Sequence, residues 1–352
     1  MQQLLLNSEY TAKFPTTRYQ GSKLKYIDWI WKCIRDIPSE TVLDAFGGTG
    51  AFAYMMKQRG KTVIYNDLLK FNLTIGKAII ENDCEIITQE ELTHLLKRHP
   101  QKKYPTFIEE TFHDIYFTDE ENVWLDTVVS NIMDIDHPYK QAIAFFAIFQ
   151  SCIIKRPYNL FHRKNLYMRT QDVKRSFGNK ITWDTPFEVH FRNFIHEANQ
   201  AVFSNGKKNQ SIQYDVFSVP GKYDVVYIDP PYVSSNGVGV DYLEFYHFLE
   251  GLVNYEQWST LIEDKSKHKK MKKRFPPDWT NANSITDSFK KLIDHYQEST
   301  LIISYRSDGI PSIRQIEEML INKGKKVITH ESHEMKYVLS KKQSSEILII
   351  GQ

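Results

Sequence analysis

Asp229-Pro230-Pro231-Tyr232 stands directly after the apolar run Tyr223 to Ile228. The two prolines fix φ and disfavour helix before each ring, so the turn that follows this run is stiff. The Asp229 carboxylate and the Pro230 carbonyl can both accept hydrogen bonds from one exocyclic amine, and Tyr232 offers a stacking face. Drawing both amine protons toward acceptors takes the nitrogen lone pair out of conjugation with its ring and makes it a better nucleophile. The chemistry suggested is alkylation of an aromatic amine. A proline-stiffened surface turn could carry the same four residues, so the rest of the chain has to decide.

A glycine turn supplies the second piece of chemistry. In Asp44-Ala45-Phe46-Gly47-Gly48-Thr49-Gly50 the glycines at 48 and 50 let a ligand approach the backbone between a strand and its helix. Asp67 follows about twenty residues on, where a carboxylate can bind ribose hydroxyls. This pattern fits a nicotinamide dinucleotide as well as a methyl donor. Arg18-Tyr19-Gln20-Gly21-Ser22-Lys23 separates the two. Ser22 is expected to cap a helix carrying Leu24, Ile27, Trp31 and Ile34, which puts Tyr19 and Lys23 at the helix mouth. An ammonium there can meet an amino-acid carboxylate, a group that S-adenosylmethionine has and a nicotinamide dinucleotide lacks.

These motifs need a sheet to hold them, and the patterning predicts one. Strands are expected at Thr41 to Phe46, Lys61 to Asp67, Ser211 to Phe217, Tyr223 to Ile228, Thr300 to Tyr305, Lys326 to Glu331 and Glu346 to Ile350. Helices are expected at Ala51 to Arg59, Phe71 to Ile80, near Tyr255 to Glu263, at Ser284 to Gln297 and at Pro311 to Asn322. The last two strands have no helix between them and must form an antiparallel hairpin. The result is an α/β, seven-stranded, doubly wound sheet with helices on both faces, whose ligand sites lie beyond the carboxyl ends of the strands. From about Asp83 to Asn209 the strand-helix rhythm stops. That stretch reads as an inserted, mainly helical domain at 83–209, and 1–82 with 210–352 form the domain around it.

Composition narrows the class. The chain has 352 residues, is 41% hydrophobic, and carries 45 basic against 43 acidic side chains, so net charge announces no polyanionic partner. Cys33, Cys84 and Cys152 are far apart, with no metal-ligand spacing, and read as packing residues in a reducing compartment. No metal site is expected. With neither a transmembrane-length apolar run nor a signal-peptide pattern, the expected location is the cytoplasm.

Together, RYQGSK before a helix, DAFGGTG after the first strand, YND ending the second and DPPY ending the fourth resemble the alpha group of N6-adenine DNA methyltransferases, the Dam-like DNA adenine methylases. The order matches too: cofactor-carboxylate motif, glycine motif, recognition insertion, catalytic motif. The resemblance implies an S-adenosylmethionine-dependent methyltransferase fold and a residue-by-residue site. Asp229, Pro230, Pro231 and Tyr232 would form the catalytic motif, and Asp in its first position favours adenine over cytosine. Tyr19 and Lys23 would contact the cofactor's methionine end, Asp44, Phe46, Gly48 and Gly50 would shape its pocket, and Asp67 would take the ribose hydroxyls. Asp215 and Phe217 would bind its adenine, although their local pattern departs from the more usual Gly-Asp-Phe.

The implied reaction needs no covalent enzyme intermediate, but the target base must be flipped out of the duplex. DNA contacts would come mainly from residues 155–180, where eight Lys/Arg stand against the single acid Asp172, with Tyr158, Phe161, Tyr167 and Phe177 between them. Arg156, Arg163, Lys164, Arg169, Lys174 and Arg175 are the candidate DNA-binding residues. The basic run Lys265 to Arg274 is either a clamp over DNA or a disordered phosphate attractor. The expected partner is double-stranded DNA, with no membrane, a monomeric state, and a restriction endonuclease of the same recognition site as a further possibility. Competing readings are an RNA amino-methyltransferase, a catalytically silent DNA-binding module, and a nicotinamide oxidoreductase. The last leaves Asp229-Pro230-Pro231-Tyr232 without a purpose.

Overall fold

In the computed structural model, the described residues are 12–171, 180–273, 275, 278–332 and 345–352. Their strands, in chain order, are β1 (Thr41–Asp44), β2 (Thr62–Asn66), β3 (Gln210–Ile212), β4 (Val225–Ile228), β5 (Val233–Ser234), β6 (Thr300–Arg306), β7 (Gly309–Ile310), β8 (Val327–Ser332) and β9 (Glu346–Gly351). Seven of them make one sheet in the order β3-β2-β1-β4-β6-β9-β8, and β5 pairs with β7 in a separate ribbon. The pairs from β3 to β6 are parallel, whereas β9 runs antiparallel to both β6 and β8. This is the expected doubly wound methyltransferase sheet with its antiparallel terminal hairpin.

Central strands are apolar without alternation because helices cover both faces, and every residue of β4 and β9 is buried. Chain direction across the sheet reverses its progression at β1, which has β2 on one side and β4 on the other. A crevice must open at that point beyond the strand ends. The turns that close β1, β2 and β4 all empty into it.

Helix α1 (Ile27–Ile34) follows a short 3-10 turn at Leu24–Tyr26, and α2 (Ala51–Gln58) follows the glycine turn. The expected helix Phe71 to Ile80 is α3 (Lys70–Gly76), continued by a π turn at Lys77–Glu81. The insertion is helical, with its longest helices at Asp119–Met133, Pro138–Ile154 and Phe187–Ala201. Thr118 opens the first of these with a capping box to Glu121, and Pro138 sits in the first turn of the second. Residues Ala142 to Ile153 of that second helix are all buried, as expected for a helix that is apolar all round. It therefore lies inside the molecule. Phe149 meets Phe71 of α3 at 5.9 Å, and Tyr54 of α2 donates to Ala201 O at 2.8 Å. Insertion and sheet thus share one continuous hydrophobic core.

One helix differs from expectation. The long helix after Asp229-Pro230-Pro231-Tyr232 is Tyr242–Leu252, capped by Asp241, while Tyr255 to Leu261 forms only a 3-10 turn and one helical turn. Gly251 lets the following turn pack closely on the helix: a Cβ at that position would stand 1.8 Å from the buried Trp258 ring. No helix among the described residues is long and apolar enough to cross a membrane.

Candidate active site

The crevice beyond β1, β2 and β4 is lined by Tyr19, Lys23, Asp44, Phe46, Gly48, Asp67, Asp215, Asp229 and Pro231 from the sequence-derived set. Five segments remote in sequence bring these side chains together. Gly50, Phe217, Pro230 and Tyr232 are not on the wall. Gly50 instead starts α2 with φ +76°. Phe217 stacks behind the wall on Trp279, with ring centroids 6.0 Å apart.

At the β2 end, Asp67 is held by donors on both oxygens. Gly48 N reaches Oδ2 at 2.9 Å, Leu69 N reaches Oδ1 at 2.9 Å, and Asn72 Nδ2 reaches Oδ2 at 3.1 Å. Burial nonetheless pushes its carboxyl up to about 6, because desolvation outweighs those bonds. The Tyr65 hydroxyl lies 2.6 Å from Gly48 O and pins the glycine turn against β2. Gly47 makes this possible: a Cβ there would fall 2.2 Å from the Tyr65 ring. Gly48 has φ +50° and nothing nearer than 3.8 Å to its missing Cβ.

Asp44 ends β1 with 1% exposure, and its Oδ1 meets no hydrogen-bond donor. Burial, with the Asp229 charge nearby, raises its carboxyl well above the usual range. A buried acceptor without a donor on the wall of a crevice suits a cationic ligand. With the Gly48 opening and the Asp67 carboxylate, these residues fit a ligand that carries both an ammonium and a ribose diol, as S-adenosylmethionine does. Ser22 Oγ sits 3.4 Å from Thr49 Oγ1 and ties the N-terminal motif to the glycine turn. Ser22 is not the helix cap expected of it, since the helix start is capped by no side chain.

The β4 end holds a buried charge cluster. Lys23 Nζ lies 3.0 Å from Asp229 Oδ1 and 3.2 Å from Glu346 Oε1, and it also contacts the Tyr232 hydroxyl. Tyr232 donates to Asp229 Oδ1 at 2.7 Å. Two expectations are corrected here. Lys23 lines the crevice, but its ammonium is engaged by two carboxylates and does not stand open at a helix mouth. Tyr232 is 7% exposed and packs edge-on against Tyr305 at 5.3 Å, so its ring offers no stacking face to the crevice. A flat wall is supplied from elsewhere: Tyr19 stacks on Tyr242 at 5.4 Å and on Tyr246 at 4.5 Å. Tyr242 lines the crevice, whereas Tyr246 is fully buried. Burial raises the Asp229 carboxyl to about 6; Lys23 works against that rise and Glu346 adds to it.

Sequence reasoning missed Glu346, Trp279 and Gly47. Glu346 is the only charged residue in an otherwise apolar strand, which is a legible signal in retrospect. Trp279 reaches Phe46 at 5.0 Å and Phe289 at 5.5 Å and closes the side of the crevice next to Asp215. It lay in a loop with no pattern to mark it.

The basic segment of the insertion divides. Arg156 is 1% exposed and donates to Leu160 O at 3.2 Å, Tyr116 O at 3.1 Å and Arg163 O at 3.1 Å, as well as to Asn165 Oδ1. Arg169 is 7% exposed, bonded to Tyr116 O at 3.2 Å and paired with Glu121 at 2.7 Å. Lys155 pairs with the same Glu121 at 2.8 Å. These three are interior props that satisfy loop carbonyls, so Arg156 and Arg169 are corrected from DNA contacts to core residues. Arg163 and Lys164 are exposed. Lys174 and Arg175 lie outside the described residues.

The run from Lys265 is not a free arm through Lys273. Met271 is buried and bridges to Ile262, Tyr116 Oη donates to His268 O at 2.8 Å, and Lys273 lines the crevice. Arg274 lies outside the described residues.

Comparison with known proteins adds a family model, that of D12 class N6 adenine-specific DNA methyltransferases, which matches residues 19–307. The chain is 29% identical to the Type II methyltransferase M2.HphI of Haemophilus parahaemolyticus, over 95% of this chain and 96% of that protein. It is 22% identical to the Type II methyltransferase M.NlaIII of Neisseria lactamica, over 87% of this chain and 88% of that protein. Similarity to M.FokI of Planomicrobium okeanokoites is 24% over 87% of this chain but 47% of that longer protein.

Proposed function

This chain belongs to the family of D12 class N6 adenine-specific DNA methyltransferases, and we propose that it methylates adenine at one short sequence in duplex DNA, on a base flipped into the crevice beside Asp229. It is an S-adenosylmethionine-dependent enzyme. The finer placement in the Dam-like alpha group rests on the motif order and on the helical insertion ahead of the catalytic strand. The single observation that carries the reading is the meeting of Asp44, Asp67 and Asp229 on the wall of one crevice.

When bound, S-adenosylmethionine supplies a methyl group already activated for transfer. The chain's residues do the rest. Asp44 Oδ1, without a donor of its own, receives the cofactor's ammonium, and Asp67 with the Gly48 amide borders its ribose. Trp279 and Asp215 border its base. Both contacts of Asp229 fall on Oδ1, which leaves Oδ2 to accept from the amine. Holding the amine there pyramidalises its nitrogen and fixes its lone pair in line, a positioning effect that replaces a nucleophilic side chain. As the N–CH3 bond forms and the donor's S–CH3 bond breaks, the nitrogen becomes cationic, the Asp229 charge stabilises it, and one proton leaves it for solvent. Tyr242 and Tyr19 provide the face on which the flipped base stacks, at a gain of roughly 1–3 kcal/mol that offsets unstacking.

The insertion at 83–209 serves as the recognition region, with Arg163 and Lys164 as phosphate contacts. Similarity to two proteins named Type II methyltransferases supports a role as the modification partner of a restriction endonuclease. Sequencing-based mapping of modified adenines in DNA treated with the enzyme tests the specificity. The expected outcome is modification confined to one short sequence. Modification scattered over unrelated sequences contradicts it.

A further inference from the structure

Glu346 opens β9, lies beyond the stretch matched by the family model, and is 1% exposed. Burying a carboxylate on a sheet strand is costly unless partners hold its charge. Its partners are the catalytic cluster itself: Lys23 Nζ at 3.2 Å, the Ser304 hydroxyl at 2.6 Å and the Tyr232 hydroxyl at 3.3 Å, all on Oε1. Ser304 belongs to β6 and faces Leu348 across the β6–β9 pairing, so sheet register fixes where this carboxylate stands.

We propose that Glu346 is a positioning residue that shares the Lys23 ammonium with Asp229, so that Asp229 keeps enough negative charge to hold an aromatic amine. The inference rests on the catalytic reading of Asp229. One ammonium between two carboxylates leaves the cluster with an excess negative charge. With Glu346 removed, Lys23 would pair with Asp229 alone, and the carboxylate would become a weaker acceptor for the amine. The groups facing this cluster come from every neighbouring element. They are Lys23, Lys25 and Tyr26 from the N-terminal turn, Asp44 from β1, Tyr227, Asp229 and Tyr232 from β4 and its turn, Tyr242 from the following helix, and Ser304 from β6. The Glu346 charge raises the carboxyl of Asp229, and the Lys23 charge lowers it.

The test is the pH profile of kcat for Glu346→Gln, which keeps the shape and the acceptor for Ser304 but removes the charge. The expected result is a fall in plateau kcat of about tenfold with little change in KM for S-adenosylmethionine, and an acid limb moved to lower pH by about one unit. Glu346→Asp, which keeps the charge but draws it back, should leave the limb between the two. A folded Glu346→Gln enzyme with its acid limb unmoved overturns the proposal, as does a lowered melting temperature with an unaltered profile. Asp229→Ala, run in parallel, separates the failures. If it transfers methyl groups normally, the catalytic reading itself is wrong; if it is inactive while the Glu346→Gln limb stays fixed, only this inference falls.

Discussion

Asp229 is a strong acceptor for an amine when it is ionised and a weaker one when it is protonated. Its carboxyl is raised to about 6 by burial, so the accepting form predominates above that pH and is lost below it. The kcat of the enzyme should therefore fall as pH drops through about 6, approaching tenfold per unit, and should be flat above. Asp67 is raised to a similar value for the same reason, and its loss should appear in KM for S-adenosylmethionine. Steady-state kinetics between pH 5 and 8 check both; a kcat flat down to pH 5 contradicts the role given to Asp229. At this scale the sequence was readable where a motif names both a residue and its partner, as with Asp44, Asp67 and Asp229. It was not readable where burial decides. Arg156 and Arg169 look like phosphate contacts in a basic run, yet the chain folds them inward against loop carbonyls. Tyr232 looks like a stacking ring, yet its hydroxyl is needed at Asp229.

Among the elements, strands β1, β2 and β4 fall within the ranges that their apolar runs indicate and β6, β8 and β9 exceed theirs by one residue, whereas the strand expected at Ser211 to Phe217 is only Gln210–Ile212, with a 3-10 turn at Val216–Ser218. The helix Tyr242–Leu252 was not expected, and the helix read near Tyr255 to Glu263 is only a 3-10 turn and one helical turn. The glycine turn shows how an element carries function. Gly47 lets the Tyr65 ring pass at close range, and that ring fixes Gly48, whose N–H meets Asp67. Gly47→Ala should force the ring aside and weaken S-adenosylmethionine binding by about tenfold or more. Gly48→Ala meets only ordinary contacts, with Tyr19 at 3.8 Å and Phe46 O at 3.9 Å, but it adds left-handed strain of about 1 kcal/mol and places a Cβ in the opening that admits the ligand. Titration calorimetry of both variants checks this, and an unchanged affinity in Gly47→Ala would show that the Tyr65 contact does not shape the site.

For the whole molecule, the insertion and the sheet are one packed body, so the recognition surface proposed for the insertion is fixed relative to the crevice by a shared core. That arrangement suits an enzyme that must bring one base of a polymer to one carboxylate. The measurement that tests this most directly is transfer of labelled methyl from S-adenosylmethionine to a mixture of duplex DNA, RNA and protein, followed by digestion of the nucleic acid to nucleosides. The account predicts label in N6-methyldeoxyadenosine alone, and its loss in Asp229→Ala while DNA binding is retained. Label recovered only in RNA or protein, or undiminished in the Asp229→Ala enzyme, would contradict it.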